Sequence, residues 1–245
     1  MSEALIDVII LAGGKGTRLQ SVVSEVPKPL APVAGRPFLD YQFDLLQAAP
    51  SLGRVVLAIG HLAERVIAHY SGDRKPGFDL AFAVETELLG TAGAVRNALP
   101  LTSSAQVLVL NGDSIFHWDV EALRARHQKS GAQATISLLE VEDVSRYGAV
   151  AVEDGFVTSF QEKSEIARPG TINAGVYLFE RTVLDGIAAN EVVSMERDIL
   201  PGLAARRALA ALAFKSDFID IGLPETYKLA ETFIPRLLER GPPKT

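Results

Sequence analysis

Three glycines, an arginine and a lysine crowd the start of this sequence, in an order suited to holding phosphate. An apolar run, Leu5–Leu11, passes directly into Leu11-Ala12-Gly13-Gly14-Lys15-Gly16-Thr17-Arg18-Leu19. Gly13, Gly14 and Gly16 let a backbone turn sharply and come close to a ligand, so that its N–H groups can face phosphate oxygens. Arg18 offers a planar fork for the same oxygens, and Lys28 is framed by Pro27 and Pro29, which stiffen its backbone. A plain turn would account for the glycines alone; the two cations beside them favour an anion. Two nucleotide-loop templates fail. Gly16 stands where a Walker loop needs Ser or Thr, and Leu19 stands where the dinucleotide fingerprint needs its third glycine. Further along, Val107–Leu110 ends in Asn111-Gly112-Asp113, which sets a carboxylate beyond an apolar strand, where open parallel sheets bind ligands. Asn-Gly also favours tight turns, so ordinary turn chemistry competes with that reading. His61, His69, His117 and His127 have no metal-ligand spacing and read as structural or surface residues.

The elements that must position these groups are legible as alternating patterns. Leu5–Leu11, Arg54–Ile59, Leu80–Val84 and Gln106–Leu110 read as buried strands, with helical spacing in Phe38–Ala48, Leu62–Tyr70 and Thr91–Leu99 between them. Strand–helix alternation at this interval implies right-handed βαβ units, hence an α/β fold with a Rossmann-like, doubly wound, mostly parallel mixed sheet. The second half is less regular. Ala134–Leu139, Gly148–Val152, Phe156–Gln161 and Ile172–Phe179 read as strands, and Val183–Ala189, Glu196–Ala205 and Pro224–Leu238 as helices. No Pro/Gly/Ser linker divides the chain, so residues 1–240 read as a single domain and 241–245 as a flexible tail. With 245 residues, 48% of them hydrophobic, the chain can bury a substantial core. A net charge of −6 argues against nucleic acid as a partner. The absence of cysteine excludes disulfides, thiolate metal sites and cysteine nucleophiles, and fits a reducing compartment. Val8–Ala12 is far too short to span a bilayer, so no membrane is expected and the localisation reads as cytoplasmic.

Taken as a set, the motifs resemble the sugar-nucleotide pyrophosphorylase family. Gly13-Gly14-x-Gly16-Thr17-Arg18-Leu19 and Pro27-Lys28-Pro29-Leu30 look like its signature. Leu89-Gly-Thr-Ala-Gly-Ala94, Asn111-Gly-Asp113, Tyr147-Gly-Ala-Val150, Glu162-Lys163, Asn173-Ala-Gly-Val176 and Asp220-Ile-Gly222 continue the likeness in order. The resemblance implies transfer of a nucleoside monophosphate from an NTP to a sugar 1-phosphate, with Mg²⁺ as cofactor and release of pyrophosphate. It assigns Asp113 and Asp220 to the metal, with Asp217 as the nearby alternative to Asp220. Nucleotide contacts fall on Leu11, Ala12, Gly13, Gly14, Gly16, Thr17, Arg18, Asn111 and Gly112. The nucleobase falls near Glu85, Gly90 and Thr91. A carboxylate can accept from both N1–H and the 2-amino group of guanine, so Glu85 favours GTP; Glu87 is the alternative two residues on.

Lys163 is implied as the ligand of the sugar phosphate, and Glu162, Gly148 and Asn173 as sugar contacts. Arg18, Lys28, Asp113 and Lys163 form the implied catalytic set, because a phosphate nucleophile is already an anion and needs alignment and charge neutralisation rather than a base. On this reading the N-terminal half binds nucleotide and the C-terminal half sugar phosphate. A homo-oligomer is compatible with it. Ser194-Met-Glu-Arg-Asp-Ile-Leu-Pro201 and Phe218-Ile-Asp-Ile-Gly-Leu-Pro-Glu-Thr-Tyr227 look most like the D-glycero-α-D-manno-heptose 1-phosphate guanylyltransferase branch, whose product, GDP-heptose, serves bacterial surface polysaccharide. Gly90-Thr-Ala-Gly-Ala94 is a form also seen in mannose 1-phosphate guanylyltransferases, which keeps mannose as the rival sugar, with a uridylyl- or thymidylyl-transferring relative third. A regulatory homologue would be expected to lose the charged residues that are present here.

Overall fold

The computed structural model describes residues 5–14, 16–19, 22–23, 26–49, 51–71, 76–161 and 166–240. In chain order the strands are β1 (Ile6–Leu11), β2 (Pro32–Val33), β3 (Arg36–Pro37), β4 (Leu52–Ile59), β5 (Leu80–Val84), β6 (Gln106–Asn111) and β7 (Ser114–Phe116). They continue as β8 (Ala134–Val141), β9 (Val150–Glu153), β10 (Phe156–Phe160), β11 (Gly170–Glu180), β12 (Leu209–Phe214) and β13 (Phe218–Asp220). The α-helices are α1 (Phe38–Gln47), α2 (Ala63–Tyr70), α3 (Gly90–Ala98), α4 (Val120–Ser130), α5 (Arg181–Asp185), α6 (Leu200–Ala205) and α7 (Pro224–Arg240).

Among the described residues one nine-stranded sheet runs in the order β5-β4-β1-β6-β11-β8-β12-β10-β9. Following the pairings outward from β1, only β10 and β11 run against the other seven strands. The sheet is therefore mixed but mostly of one direction, as the alternation predicts. Both faces of β1 are apolar because both are covered. Ile9 shares one core with Ala92, Val95 and Ala98 of α3, and that core continues under the far strands to Leu200 and Leu203 of α6. Val8 and Ile10 pack with Leu39, Phe43 and Leu46 of α1 and Val66 of α2. The period of two along the strand thus feeds two cores.

The connections after β1 and β4 carry the chain outward to β5 over α1 and α2; α3, on the opposite face, returns it to β6 on the other side of β1. That reversal opens a crevice at the carboxyl ends of β1 and β6, the place where doubly wound sheets bind ligands. A third core joins α7 to the ribbon β7–β13: Tyr227, Ala230 and Ile234 meet Ile115, Ile219 and the Leu19 side chain. This packing holds the far end of the glycine loop against the ribbon.

Several boundaries differ from expectation, each for a local reason. Helix α4 has weak apolar periodicity and buries Arg124 and His127 among its few apolar residues. Its ends are nevertheless marked. The Asp119 side chain accepts from Glu121 N–H at 2.8 Å and Ala122 N–H at 3.1 Å, and Gly131 closes it at φ 62°. The helix expected over Glu196–Ala205 is a π-turn, Met195–Ile199, followed by α6, with Pro201 in the first turn of α6. The helix expected over Val183–Ala189 is the shorter α5, and β12 and the β7–β13 ribbon go beyond what periodicity indicates. Two of the histidines are buried structural groups: His117 Nε2 bonds Leu237 O at 2.8 Å, and His127 lies between Thr135 and Glu180. The tail at 241–245 lies outside the described residues.

Candidate active site

Four parallel strands deliver their ends to one crevice: Leu11 into Ala12 and Gly13, Ile59 into Gly60, Val84 into Glu85, and Asn111 into Gly112 and Asp113. Register places them level, with Leu11 paired to Asn111 and Ile59 to Val84. Above them opens a cavity of about 320 Å³. Leu11, Ala12, Gly13, Gly14 and Gly16 form its floor on one side, and Asn111, Gly112 and Asp113 on the other. Glu85, Gly90 and Thr91 close the far end, and Lys28 leans in from the proline turn. Glu85 lines it and Glu87 does not.

A second cavity, of about 410 Å³, adjoins the first and shares Asn111 and Asp113 with it. Its walls carry Arg18, Arg146, Tyr147, Asn173, Phe218 and Asp220. Asp113 and Asp220, far apart in the chain, meet here because β7 pairs with β13, Ser114 opposite Asp220, and Ile221 N–H donates to Asp113 O at 2.8 Å. Asp217, the alternative, instead pairs with Arg240 at 3.0 Å on the surface.

The charged groups at the junction are held individually. Lys28 begins a short 3₁₀ turn, Lys28–Leu30, after extended Pro27, and its Nζ donates to Asp113 Oδ2 at 2.6 Å. The Lys28 side chain is 15% exposed and the Asp113 carboxylate 41%, so the pair is open from the cavity side. Asp220 Oδ1 accepts from Gly222 N–H at 2.9 Å, and Tyr147 OH reaches Asp220 Oδ2 at 3.4 Å. Burial, with the Asp220 charge beside it, pushes the Tyr147 hydroxyl above its ordinary pKa. Arg18 and Arg146 form no salt bridge among the described residues, whereas Arg36, Arg54, Arg96, Arg181, Arg207 and Arg240 each pair with an aspartate. At the other end, Glu85 Oε2 accepts from Leu89 N–H at 3.1 Å. Burial pushes the Glu85 carboxyl up, and that single backbone bond offsets only part of the shift.

Some expected contacts are arranged differently. Arg18 lines the second cavity and not the glycine-floored one; it sits in a turn from Gly16 to Leu19 closed by Leu19 N–H to Gly16 O at 2.8 Å. Thr17 is exposed in that turn and lines neither cavity. Gly148 is buried at φ 79° with its N–H donated to Val144 O at 3.0 Å, and its neighbour Tyr147 lines the wall. Asn173 does line the second cavity; its Oδ1 accepts from Gly175 N–H at 3.0 Å and its Nδ2 donates to Tyr177 OH at 2.8 Å. Glu162 and Lys163 lie outside the described residues.

Residue-by-residue reading missed Glu196, Arg146, Tyr147 and Phe218 as wall residues, although all but Arg146 lie in the motifs quoted above. Glu196 reaches the first cavity through the π-turn, where its Oε2 accepts from Thr91 Oγ1 at 2.9 Å and Ser194 Oγ at 3.1 Å. Among the described residues no group of three or more His, Cys, Asp and Glu side chains could enclose a metal, and no helix is long and apolar enough to cross a membrane.

Known proteins are similar to this chain over most of its length. The D-glycero-alpha-D-manno-heptose 1-phosphate guanylyltransferase of Aneurinibacillus thermoaerophilus is 36% identical over 225 residues, 92% of this chain and 96% of that protein. The mannose-1-phosphate guanylyltransferase of Mycobacterium tuberculosis is 32% identical over 93% of this chain and 64% of that longer protein. The crystal structure of HddC from Yersinia pseudotuberculosis superimposes with a TM-score of 0.81 at 33% identity, covering 92% of this chain and 98% of that one. The same protein complexed with GMP-PN gives 0.79. A family model described as Nucleotidyl transferase matches residues 7–236, a span that takes in both cavities and every strand of the large sheet apart from the first residue of β1. The chain therefore belongs to the nucleotidyl transferase family.

Proposed function

We propose that this chain transfers GMP from GTP to D-glycero-α-D-manno-heptose 1-phosphate, giving GDP-heptose and pyrophosphate. The observation that carries the reading is the pair of adjoining cavities that meet at Asn111 and Asp113, one floored by the glycine loop and the other walled by Arg18, Arg146 and Asn173. Such a pair suits two anionic substrates that must meet at one phosphorus atom. The likeness to the heptose 1-phosphate guanylyltransferase and to HddC supports guanine and heptose as the respective partners.

The acceptor phosphate needs no general base, so catalysis reduces to alignment and charge neutralisation. Lys28 and the glycine-loop amides take the triphosphate; Arg18 and Arg146 draw the sugar phosphate toward the junction. Lys163 holds that phosphate on the family resemblance, with Glu162 and Asn173 on the sugar. Glu85, at the end of the first cavity away from the acceptor, takes N1–H and the 2-amino group of guanine.

The junction fits Mg²⁺. Asp113 and Asp220 supply hard oxygen donors, and Gly222 keeps the space clear, since a Cβ there would stand 2.9 Å from Asp220 Oδ1 and 3.8 Å from Lys28 Nζ. With two carboxylates and no third acidic or imidazole ligand among the described residues, a cation would complete its shell from phosphate oxygens and water. When bound it supplies charge neutralisation at the phosphates. The product suits bacterial surface polysaccharide synthesis in the cytoplasm.

Pyrophosphate release by the purified protein with Mg²⁺, crossing GTP, ATP, UTP, CTP and dTTP with heptose, mannose and glucose 1-phosphates, tests the reading. A dominant GTP–heptose signal is expected. GTP with mannose 1-phosphate is the second reading, favoured by Gly90-Thr-Ala-Gly-Ala94 and by the mycobacterial relative. Silence across the grid from folded protein would remove both.

A further inference from the structure

The three glycines of the loop have unequal surroundings. A Cβ at Gly14 would meet nothing within 4 Å, and one at Gly16 would meet only the Lys28 side chain, at 3.5 Å. A Cβ at Gly13 would stand 2.6 Å from Glu85 Oε1, 3.3 Å from Gly60 N and 3.4 Å from the Ile59 carbonyl carbon. Gly60 faces it from the next strand: a Cβ there would lie 3.1 Å from Gly13 O, 3.7 Å from Gly13 Cα and 3.8 Å from Glu85 Cβ. Two glycines at the ends of the adjacent parallel strands β1 and β4 thus form a bare gap, and the Glu85 carboxylate lies in it.

The rest of that carboxylate's position is fixed by backbone. Glu85 N–H donates to Ile59 O at 2.7 Å, His61 N–H to Gly13 O at 3.5 Å, and Leu89 N–H to Glu85 Oε2 at 3.1 Å. Glu85 therefore has its main chain pinned to β4, one carboxylate oxygen pinned to Leu89, and the other resting on the face of Gly13.

We infer that Gly13, with Gly60, is a positioning residue for Glu85 and sets nucleobase preference, in contrast to the phosphate approach served by Gly14 and Gly16. The inference rests on the proposal that Glu85 reads the guanine edge. A methyl group at residue 13 cannot coexist with Oε1 at 2.6 Å. The atom it meets is the free end of a flexible side chain, so the carboxylate swings away while the fold stays. A displaced acceptor no longer meets both guanine donors, and a buried polar edge left unmatched is expensive in specificity.

Gly13→Ala tests this when kcat/KM is measured with GTP and ATP for wild type, Gly13→Ala, Glu85→Gln and the double variant. The GTP-over-ATP ratio is expected to fall about tenfold or more in Gly13→Ala. The double variant is expected to lose no more of that ratio than Glu85→Gln alone, because both changes remove the same contact. Replacing Glu85 with Asp in the Gly13→Ala background, which retracts the carboxylate by one carbon, should recover part of the ratio. An equal fall for both nucleotides with the ratio kept would overturn the inference in favour of a phosphate contact. Additive losses of the ratio would overturn it too. So would failure of Gly13→Ala to fold, since the backbone and not the carboxylate would then bear the contact. If Glu85→Gln itself leaves the ratio intact, the guanine reading of Glu85 is what fails, and the inference goes with it.

Discussion

Carboxylates stand at both ends of the central parallel strands, and the two ends treat them differently. At the amino ends, Asp7 is 5% exposed, yet its oxygens accept from Ser103 N–H at 2.6 Å, Ser104 N–H at 3.0 Å and Arg54 N–H at 2.9 Å. Burial raises its pKa, but those three bonds and the Ser103 hydroxyl outweigh it and leave the carboxyl below its ordinary value. At the carboxyl ends, among the described residues, Glu85 has a single backbone N–H and its pKa goes up, while the Asp113 side chain bonds only Lys28. A carboxylate whose oxygens are fully engaged ties strands together. One left with spare acceptor capacity in a cavity is available to a ligand.

That contrast can be broken by substitution at either end. The largest effect is expected for Asp113→Ala, a loss of about 10³-fold or more in kcat with little change in melting temperature, by analogy with removal of a preorganised electrostatic group. Pyrophosphate release and a thermal melt on the same preparation check it; a fall in stability matching the fall in rate would make Asp113 structural. Arg18→Ala should lower kcat by roughly 10²–10³. Because Arg18 lines the second cavity, proposed for the acceptor, its KM change should fall on the sugar phosphate and not on GTP, and the opposite split would return Arg18 to the triphosphate.

At the amino end, Asp7→Ala should cost about 1–3 kcal/mol of stability, since the Ser103, Ser104 and Arg54 N–H groups lose their acceptor. Its kcat should stay near wild type, and a denaturant melt beside an activity assay separates the two outcomes. The pH dependence has a definite sign. With its folded pKa depressed, Asp7 stabilises the protein above the unfolded carboxylate range, and that contribution disappears as pH falls through the folded value.

The smallest effect is at Glu85, with the reverse sign. Its folded pKa is raised, so the folded state binds the proton more readily than the unfolded chain, and stability drops as pH rises through that value. Glu85→Gln should therefore raise the melting temperature slightly at pH 8, and the gain should shrink as the pH approaches the carboxylate range. A lowered melting temperature at pH 8 would place Glu85 with Asp7, as a structural acid.

The glycine loop, the strand-end Asp113 and the framed Lys28 are visible in sequence because each is local: neighbouring residues define the turn, the strand or the proline frame. Helix α4 was not, because its apolar periodicity is weak and its evidence lies in the Asp119 and Gly131 caps. Arg18 shows the limit for sites. Its chemistry is legible in its side chain, but which cavity it enters depends on a turn held against α7 and the β7–β13 ribbon. Gly148 shows the same limit from the other direction, since a motif glycine whose N–H is taken by Val144 looks no different in sequence from one left open.

By itself, then, the sequence determined the parallel strand–helix frame, a glycine loop of the kind that suits phosphate, and the presence of cations and carboxylates in numbers suited to two anionic substrates. Those properties follow from residue type and short-range spacing. Tertiary structure alone decided that Asp113 and Asp220 share a junction, that Glu85 and not Glu87 faces the cavity, that Asp7 is structural, and that Gly13 makes room for a carboxylate. Each of these depends on strand pairing or packing between distant segments, where the partner of a group, and not its type, sets what it does.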